Sequence, residues 1–175
     1  VQAYGDSITT AQAGMRTAIN FQGLDKTAVN RGDIVAGPET LEPSHMVDVT
    51  LNYLPGNIKR LKNRTRVRFH SGTSEIMGIV VLLENDTLDP GTATIAQIRL
   101  EAPVTLVKDD RYVLRSYSPV RTIGGGRIIQ PIAPKHKPNR PGVLEYLNDI
   151  AGDDASVLLQ RHIEAGGHAG CTRKQ

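Results

Sequence analysis

The chain has no tryptophan, two phenylalanines and a single cysteine, Cys171, in 175 residues. One thiol cannot close an internal disulfide, and one cysteine among five scattered histidines offers no zinc-ligand spacing. A disulfide scaffold and a zinc finger are excluded, and a reducing, cytoplasmic setting is the default. No apolar run approaches the roughly 18 residues that a membrane-spanning helix requires, so no membrane partner is expected. The catalytic signatures G-x-S-x-G, H-E-x-x-H and G-x-x-x-x-G-K-[ST] are all missing. The acids Asp109 and Asp110 sit in a turn signal, where solvent accounts for them. Catalysis by this chain alone is not expected. No secretory pattern opens the chain at Val1, which falls inside a strand-like pattern, so the sequence reads as a piece of a longer protein.

With aromatics at 4%, the core must be built from Val, Ile and Leu, and 17 Gly with 10 Pro favour short strands and many turns. Met15, Thr17, Ile19 and Phe21 alternate with Arg16, Ala18 and Asn20, which predicts a strand with Arg16 opposite the apolar set. Asp25 is placed to cap one helical turn, and Arg31, Gly32 and Asp33 form a turn. After a short linker from Pro38 to Pro43, strands are predicted over Met46–Leu54, Arg64–Phe69, Glu75–Leu83, Thr92–Leu100, Arg111–Tyr117 and Arg127–Ile129. Turn residues separate them, and no helix intervenes. That is the signature of a closed antiparallel barrel, so the fold class is mainly β. Four prolines between Pro131 and Pro141 predict an extended connector. Beyond it, Val143, Leu144 and Leu147, then Val157, Leu158 and His162, follow helical spacing, with Asp153-Asp154 as a possible cap.

The formal charge of +3 and the pI of about 9.1 permit a polyanionic partner without demanding one. The charge is unevenly distributed. Lys59, Arg60, Lys62, Arg64, Arg66, Arg68 and His70 occur with no acid among them. On a strand, Arg64, Arg66 and Arg68 share one face, and Thr65, Val67 and Phe69 the other. Like charges at that spacing repel, so either the face is merely solvated or a polyanion relieves it. A second group, Lys135, His136, Lys137 and Arg140, lies in the connector, to touch RNA or to keep the connector soluble. No aromatic pair alternates with these cations, which argues against a stacking platform for single strands.

Gly124, Gly125 and Gly126 invite a phosphate-loop reading. A β-branched pair follows them instead of a helix opening on Lys-Ser or Lys-Thr, so they read as a bulge or close backbone approach between two strands.

The stretches GMRTAIN and QGLDKTAVNRGDIVAGP, followed by predicted strands ending in VLRSYSPVRTIGGGRI, resemble the second and third domains of the selenocysteine-specific translation elongation factors, the SelB family, themselves similar to EF-Tu. The likeness covers roughly residues 11 to 130. It implies part of an EF-Tu domain II-like barrel over residues 1–40, a domain III-like barrel over 41–131, a proline-rich linker over 132–141 and the start of a winged-helix domain over 142–175. It also implies that the function is delivery of selenocysteinyl-tRNA to the ribosome. This part would contact the acceptor arm and aminoacyl end. GTP and Mg are expected in a GTPase domain that this stretch does not include, and the ribosome and the selenocysteine insertion element in mRNA are partners reached through other regions. Arg16 would face the aminoacyl pocket, where a guanidinium distinguishes an ionised selenol from a serine hydroxyl. Arg31 would lie near the 5′ end of the tRNA, and Tyr117, Ser118 and Arg121 near the T stem. Arg64, Arg66 and Arg68 would add phosphate contacts. A partial second barrel would also expose strand edges. The competing readings are a β-barrel protein-interaction module and another tRNA carrier of the EF-Tu type.

Overall fold

Alternating Val, Ile and Leu residues produce strands with one dry face, and six of these strands close on one another. The computed structural model describes residues 1–3, 5–152 and 154–166. It separates into a unit spanning Val1–Arg31 and a second from Gly32 onward.

In the first unit, β1 (Gln2–Ala3) pairs antiparallel with both β2 (Asp6–Ser7) and β3 (Thr17–Ala18). The strand predicted around Met15–Phe21 is realised over only two residues. Met15, Ile19 and Phe21 are 38%, 50% and 36% exposed. Period-two spacing defines two faces but cannot supply the surface that would cover one. Asp25 caps a 3₁₀ turn over Lys26–Ala28, its carboxylate accepting from the Thr27 N–H and hydroxyl, both at 2.9 Å. Those donors hold the Asp25 carboxyl below its ordinary value.

In the second unit, β4 (Pro43–Tyr53), β6 (Arg66–Ser71), β7 (Ser74–Leu82), β9 (Ala93–Thr105), β10 (Arg111–Ser116) and β11 (Thr122–Gln130) form a closed barrel in the order β10-β11-β4-β9-β7-β6. All pairings are antiparallel, and β6 with β10 completes the ring. Short strands β5 (Leu61–Lys62) and β8 (Thr87–Leu88) pair beside it. Val47, Val49 and Leu51 of β4, Val67 and Phe69 of β6, and Ile98 and Leu114 of β9 and β10 fill the interior with no exposure. Closure removes the sheet edges that an open strand array would leave unpaired. Tyr112 stacks on Phe69 with centroids 5.2 Å apart and donates its hydroxyl to the Thr50 carbonyl at 2.9 Å, so that buried phenol is satisfied.

The three glycines lie inside β11 and do not form a loop between two strands. A Cβ on Gly124, Gly125 or Gly126 would come within 2.7 Å of the Asn52 carbonyl oxygen, 2.5 Å of that of Tyr112 and 1.8 Å of that of Thr50. They permit close approach of β11 to both its neighbours, β4 and β10.

On the outside of the barrel, Ile79 and Val81 of β7, Ile95 of β9 and Ile129 of β11 make a second apolar cluster under helix α1 (Val143–Ala151), whose Leu147 is fully buried. Helix α2 (Ala155–Gly166) follows. Asp154 caps it through the Ser156 N–H at 2.9 Å, and Arg161 of α2 binds Asp149 of α1. Asp153, Cys171 and the side chain of His162 lie outside the described residues.

The connector is not a free spacer. Ala133 donates its N–H to the Met46 carbonyl at 3.1 Å, and Asn139 to that of Leu83 at 2.8 Å. His136, read from sequence as part of a basic group that touches RNA or keeps the connector soluble, is 8% exposed. Lys135, Lys137 and Arg140 remain exposed.

Candidate nucleic-acid interface

The loops after β4 and β10, with residues of β5 and the ends of β4, β6, β10 and β11, line a cleft of about 620 Å³, bordered among others by Lys59, Lys62, Arg66, Tyr117, Ser118 and Arg121. The loop after β4 turns at Pro55-Gly56 and is pinned by Asn57, which is 7% exposed. The Asn57 amide donates to the Leu54 carbonyl at 2.8 Å and across to the Ile123 carbonyl at 2.7 Å. The Tyr53 hydroxyl donates to the Lys59 carbonyl at 2.9 Å. The facing loop between β10 and β11 contains a cis Ser118–Pro119 peptide. Ser116 closes it, its hydroxyl donating to the Pro119 carbonyl and accepting from the Arg121 N–H at 3.2 Å. Both loops are thus held by backbone-directed bonds, and their side chains remain available to line the cleft. Burial raises the Tyr53 phenol above its ordinary value, and the nearby Arg121 charge opposes the rise.

The charged stripe differs from its sequence reading. Arg64 is not on the strand: it sits in the turn before β6 at φ 64°, donating its N–H to the Val80 carbonyl at 2.8 Å. It does not join the Arg66 and Arg68 row. Arg64 instead lies close enough to Arg99 that its charge, after burial, helps to lower the Arg99 pKa. Arg66 binds Glu101 of β9 through two parallel bonds of 3.0 Å, and Arg68 binds Glu75 of β7 at 2.5 Å. Arg60 pairs with Asp89 at 2.5 Å. The acids absent from the local sequence arrive from other strands, or for Asp89 from the residue after β8. Among the described residues no carboxylate pairs with Lys59, Lys62 or Arg121.

The structure also supplies the aromatic that local sequence denied. The Arg66 and Arg68 guanidinium carbons lie 5.0 and 5.8 Å from the centroid of the Tyr117 ring, which is 49% exposed. Arg66, Arg68, Tyr117, Ser118 and Arg121 therefore gather at one region of the barrel. Arg16 and Arg31, both exposed, belong to the first unit. Lys59 and Lys62 were legible only as members of a charge run. Arg115 stands directly across from Arg68 in register, and its signal was its position two residues before Tyr117 on the same strand face.

Among the described residues no group of three or more His, Cys, Asp or Glu could hold a metal ion. Among the described residues no helix is long and apolar enough to cross a membrane.

The fold is a closed antiparallel β-barrel that carries a cluster of basic side chains around Tyr117, and comparison with known proteins gives its family. The family model for "Selenocysteine-specific elongation factor, beta-barrel domain" matches residues 46–135. The selenocysteine-specific elongation factor of Desulfomicrobium baculatum is 36% identical over 172 residues, covering 98% of this chain and 27% of that protein. That of Escherichia coli K12 is 29% identical over 169 residues, 95% of this chain and 25% of the relative. The chain belongs to the selenocysteine-specific elongation factor family. It spans about a quarter of the length of the curated relatives it matches.

Proposed function

We propose that this chain is the tRNA-holding part of a factor that delivers selenocysteinyl-tRNA to the ribosome in a GTP-dependent cycle. The observation that carries the reading is the cleft in which, among the described residues, Lys59, Lys62 and Arg121 have no carboxylate partner. Unpaired cations on pinned loops attract phosphodiesters, release counterions on contact, and position a nucleic acid without reading its bases. Ser118 adds a hydroxyl, and Arg66 with Arg68 orient the Tyr117 ring rather than supplying free charge. Within this reading the cleft takes the T-stem side of the acceptor arm. Arg31 serves near the 5′ end, and the Arg16 guanidinium favours a selenolate over a neutral hydroxyl at the aminoacyl end. Arg64, exposed at its turn, is at most a peripheral phosphate contact. The first unit takes the part of a domain II-like barrel, and α1 with α2 the opening of a winged-helix domain. The setting is the cytoplasm.

GTP and Mg belong, in this reading, to a separate GTPase domain. The glycine run of this chain does not fit them: Gly124–Gly126 lie mid-strand against the carbonyls of Asn52, Tyr112 and Thr50, not before a helix N-terminus. The ribosome and the insertion element in mRNA are met by other regions of the factor.

The test is retention of selenocysteinyl-tRNA by the whole factor across a salt series. Loss of binding on replacing Lys59, Lys62 and Arg121 by Gln supports the reading, and unchanged binding refutes it. One observation favours a protein partner instead: Ile58 and Val120, 84% and 48% exposed, belong to the same two loops. A partner that survives nuclease treatment and is lost with Ile58→Ser would establish that alternative.

A further inference from the structure

The outer face of β4 and β9 carries Asp48, Gln97 and Arg99, side chains that water alone would satisfy on an open strand. Asp48 and Gln97 are instead fully buried, because the connector covers them. Asp48 and Gln97 stand directly opposite each other in register. The Gln97 amide nitrogen donates to Asp48 Oδ1 at 3.0 Å and to the Pro134 carbonyl at 2.8 Å. Gln97 Oε1 accepts from Arg99 Nε at 3.0 Å and from the His136 N–H at 3.3 Å. Arg99 Nη2 then reaches the His136 carbonyl at 2.7 Å, and His136 Nε2 meets Asp48 Oδ2 at 2.8 Å.

His136 is therefore gripped at its N–H, its carbonyl and its ring by three different barrel side chains. A proline-rich connector that only spans a distance leaves its backbone to water. This one is fixed at His136 and again at Ala133 and Asn139, and α1 begins within four residues of Asn139. There Leu147 is inserted among Val81, Leu83, Ile95 and Ile129. The polar fixing and the apolar docking are consecutive on one length of chain.

We propose that His136 is a latch that makes the connector and α1 one rigid body with the barrel, so that the polypeptide beyond α1 is carried in a fixed orientation and motion at either end is felt at the other. Such a latch would have two states, closed as seen here and open. Removing the ring leaves the Asp48 carboxylate buried without its imidazole partner, a situation that proteins relieve by letting water in rather than by small adjustments. Opening at His136 therefore uncovers β4 and β9 and releases α1 together. Coupling of this kind needs an element with two alternative arrangements, and the latch supplies it.

The test is amide hydrogen exchange on the full chain with His136→Ala and, separately, Leu147→Ala. The latch predicts that His136→Ala speeds exchange throughout α1 by about tenfold or more, with β6 and β10 unchanged. Unchanged exchange in α1 would overturn it. So would a uniform rise in α1, β6 and β10, which would mean that the network only supports the barrel. If His136→Ala does not fold, the distance between spin labels at Glu145→Cys and Arg111→Cys, in a Cys171→Ser background, decides the matter. A single narrow distribution upholds the rigid body, and a broad one refutes it.

Discussion

Arg66 lies across the barrel surface from Glu101, thirty-five positions later in the chain, and binds it through both Nε and Nη2 at 3.0 Å. The pair neutralises a cation that the local sequence leaves unopposed, and it fixes the guanidinium 5.0 Å from the Tyr117 ring centroid. Glu75 does the same for Arg68. Charge on this face is thus stored in ion pairs. Replacing Glu101 and Glu75 by Gln would unmask two arginines and strengthen polyanion binding, steepening its salt dependence by about 1 to 2 contacts. Stability would change little, as expected of exposed pairs. Filter binding over a salt series, with thermal unfolding alongside, measures both.

The Arg68–Glu75 pair also has a pH signature. The hydrogen bond from Arg68 holds the Glu75 carboxyl below the ordinary glutamate value of 4.5. With the folded-state value depressed, the contribution of the pair is present above 4.5 and is lost as pH falls through the folded-state value. NMR titration of the Glu75 side chain checks this. Arg68→Gln should move its midpoint back up toward 4.5.

Gly126→Ala tests the close approach of β11 to β4. Its Cβ would stand 1.8 Å from the Thr50 carbonyl oxygen, a backbone atom that cannot rotate aside. A loss of about 3 kcal/mol or more is expected in urea unfolding, whereas Gly56→Ala, with nothing within 4 Å, should be nearly neutral.

Asn57→Ala separates the shape of the cleft from its charge. The substitution deprives the Leu54 and Ile123 carbonyls of a shared buried donor and should cost about 1 to 3 kcal/mol. No cation is removed, so tRNA affinity should fall while its salt slope stays the same.

The barrel was legible because strands with a dry face announce themselves: Met46–Leu54 was predicted as a strand, and its alternating Val47, Val49, Leu51 and Tyr53 are all buried. The same alternation failed at Met15–Phe21, where the faces exist but remain exposed. Arg64 was misplaced because a left-handed turn residue looks like any other arginine in sequence. The neutralising acids, Glu75 and Glu101, and the ring of Tyr117 reach the stripe only through strand pairing. His136 was hidden for the same reason, since nothing local distinguishes a histidine in a basic connector from one buried on Asp48. The family resemblance was carried in part by VLRSYSPVRTIGGGRI, whose glycines serve strand packing and whose Tyr117, Ser118 and Arg121 line the cleft.

The central claim is that the free cations of the cleft face RNA. Its most direct test is the salt dependence of selenocysteinyl-tRNA binding by the whole factor, comparing wild type with Lys59→Gln, Lys62→Gln and Arg121→Gln singly and together. Each substitution should lower the slope by about 1, and the triple variant by about 3. An unchanged slope in the triple variant would contradict the assignment.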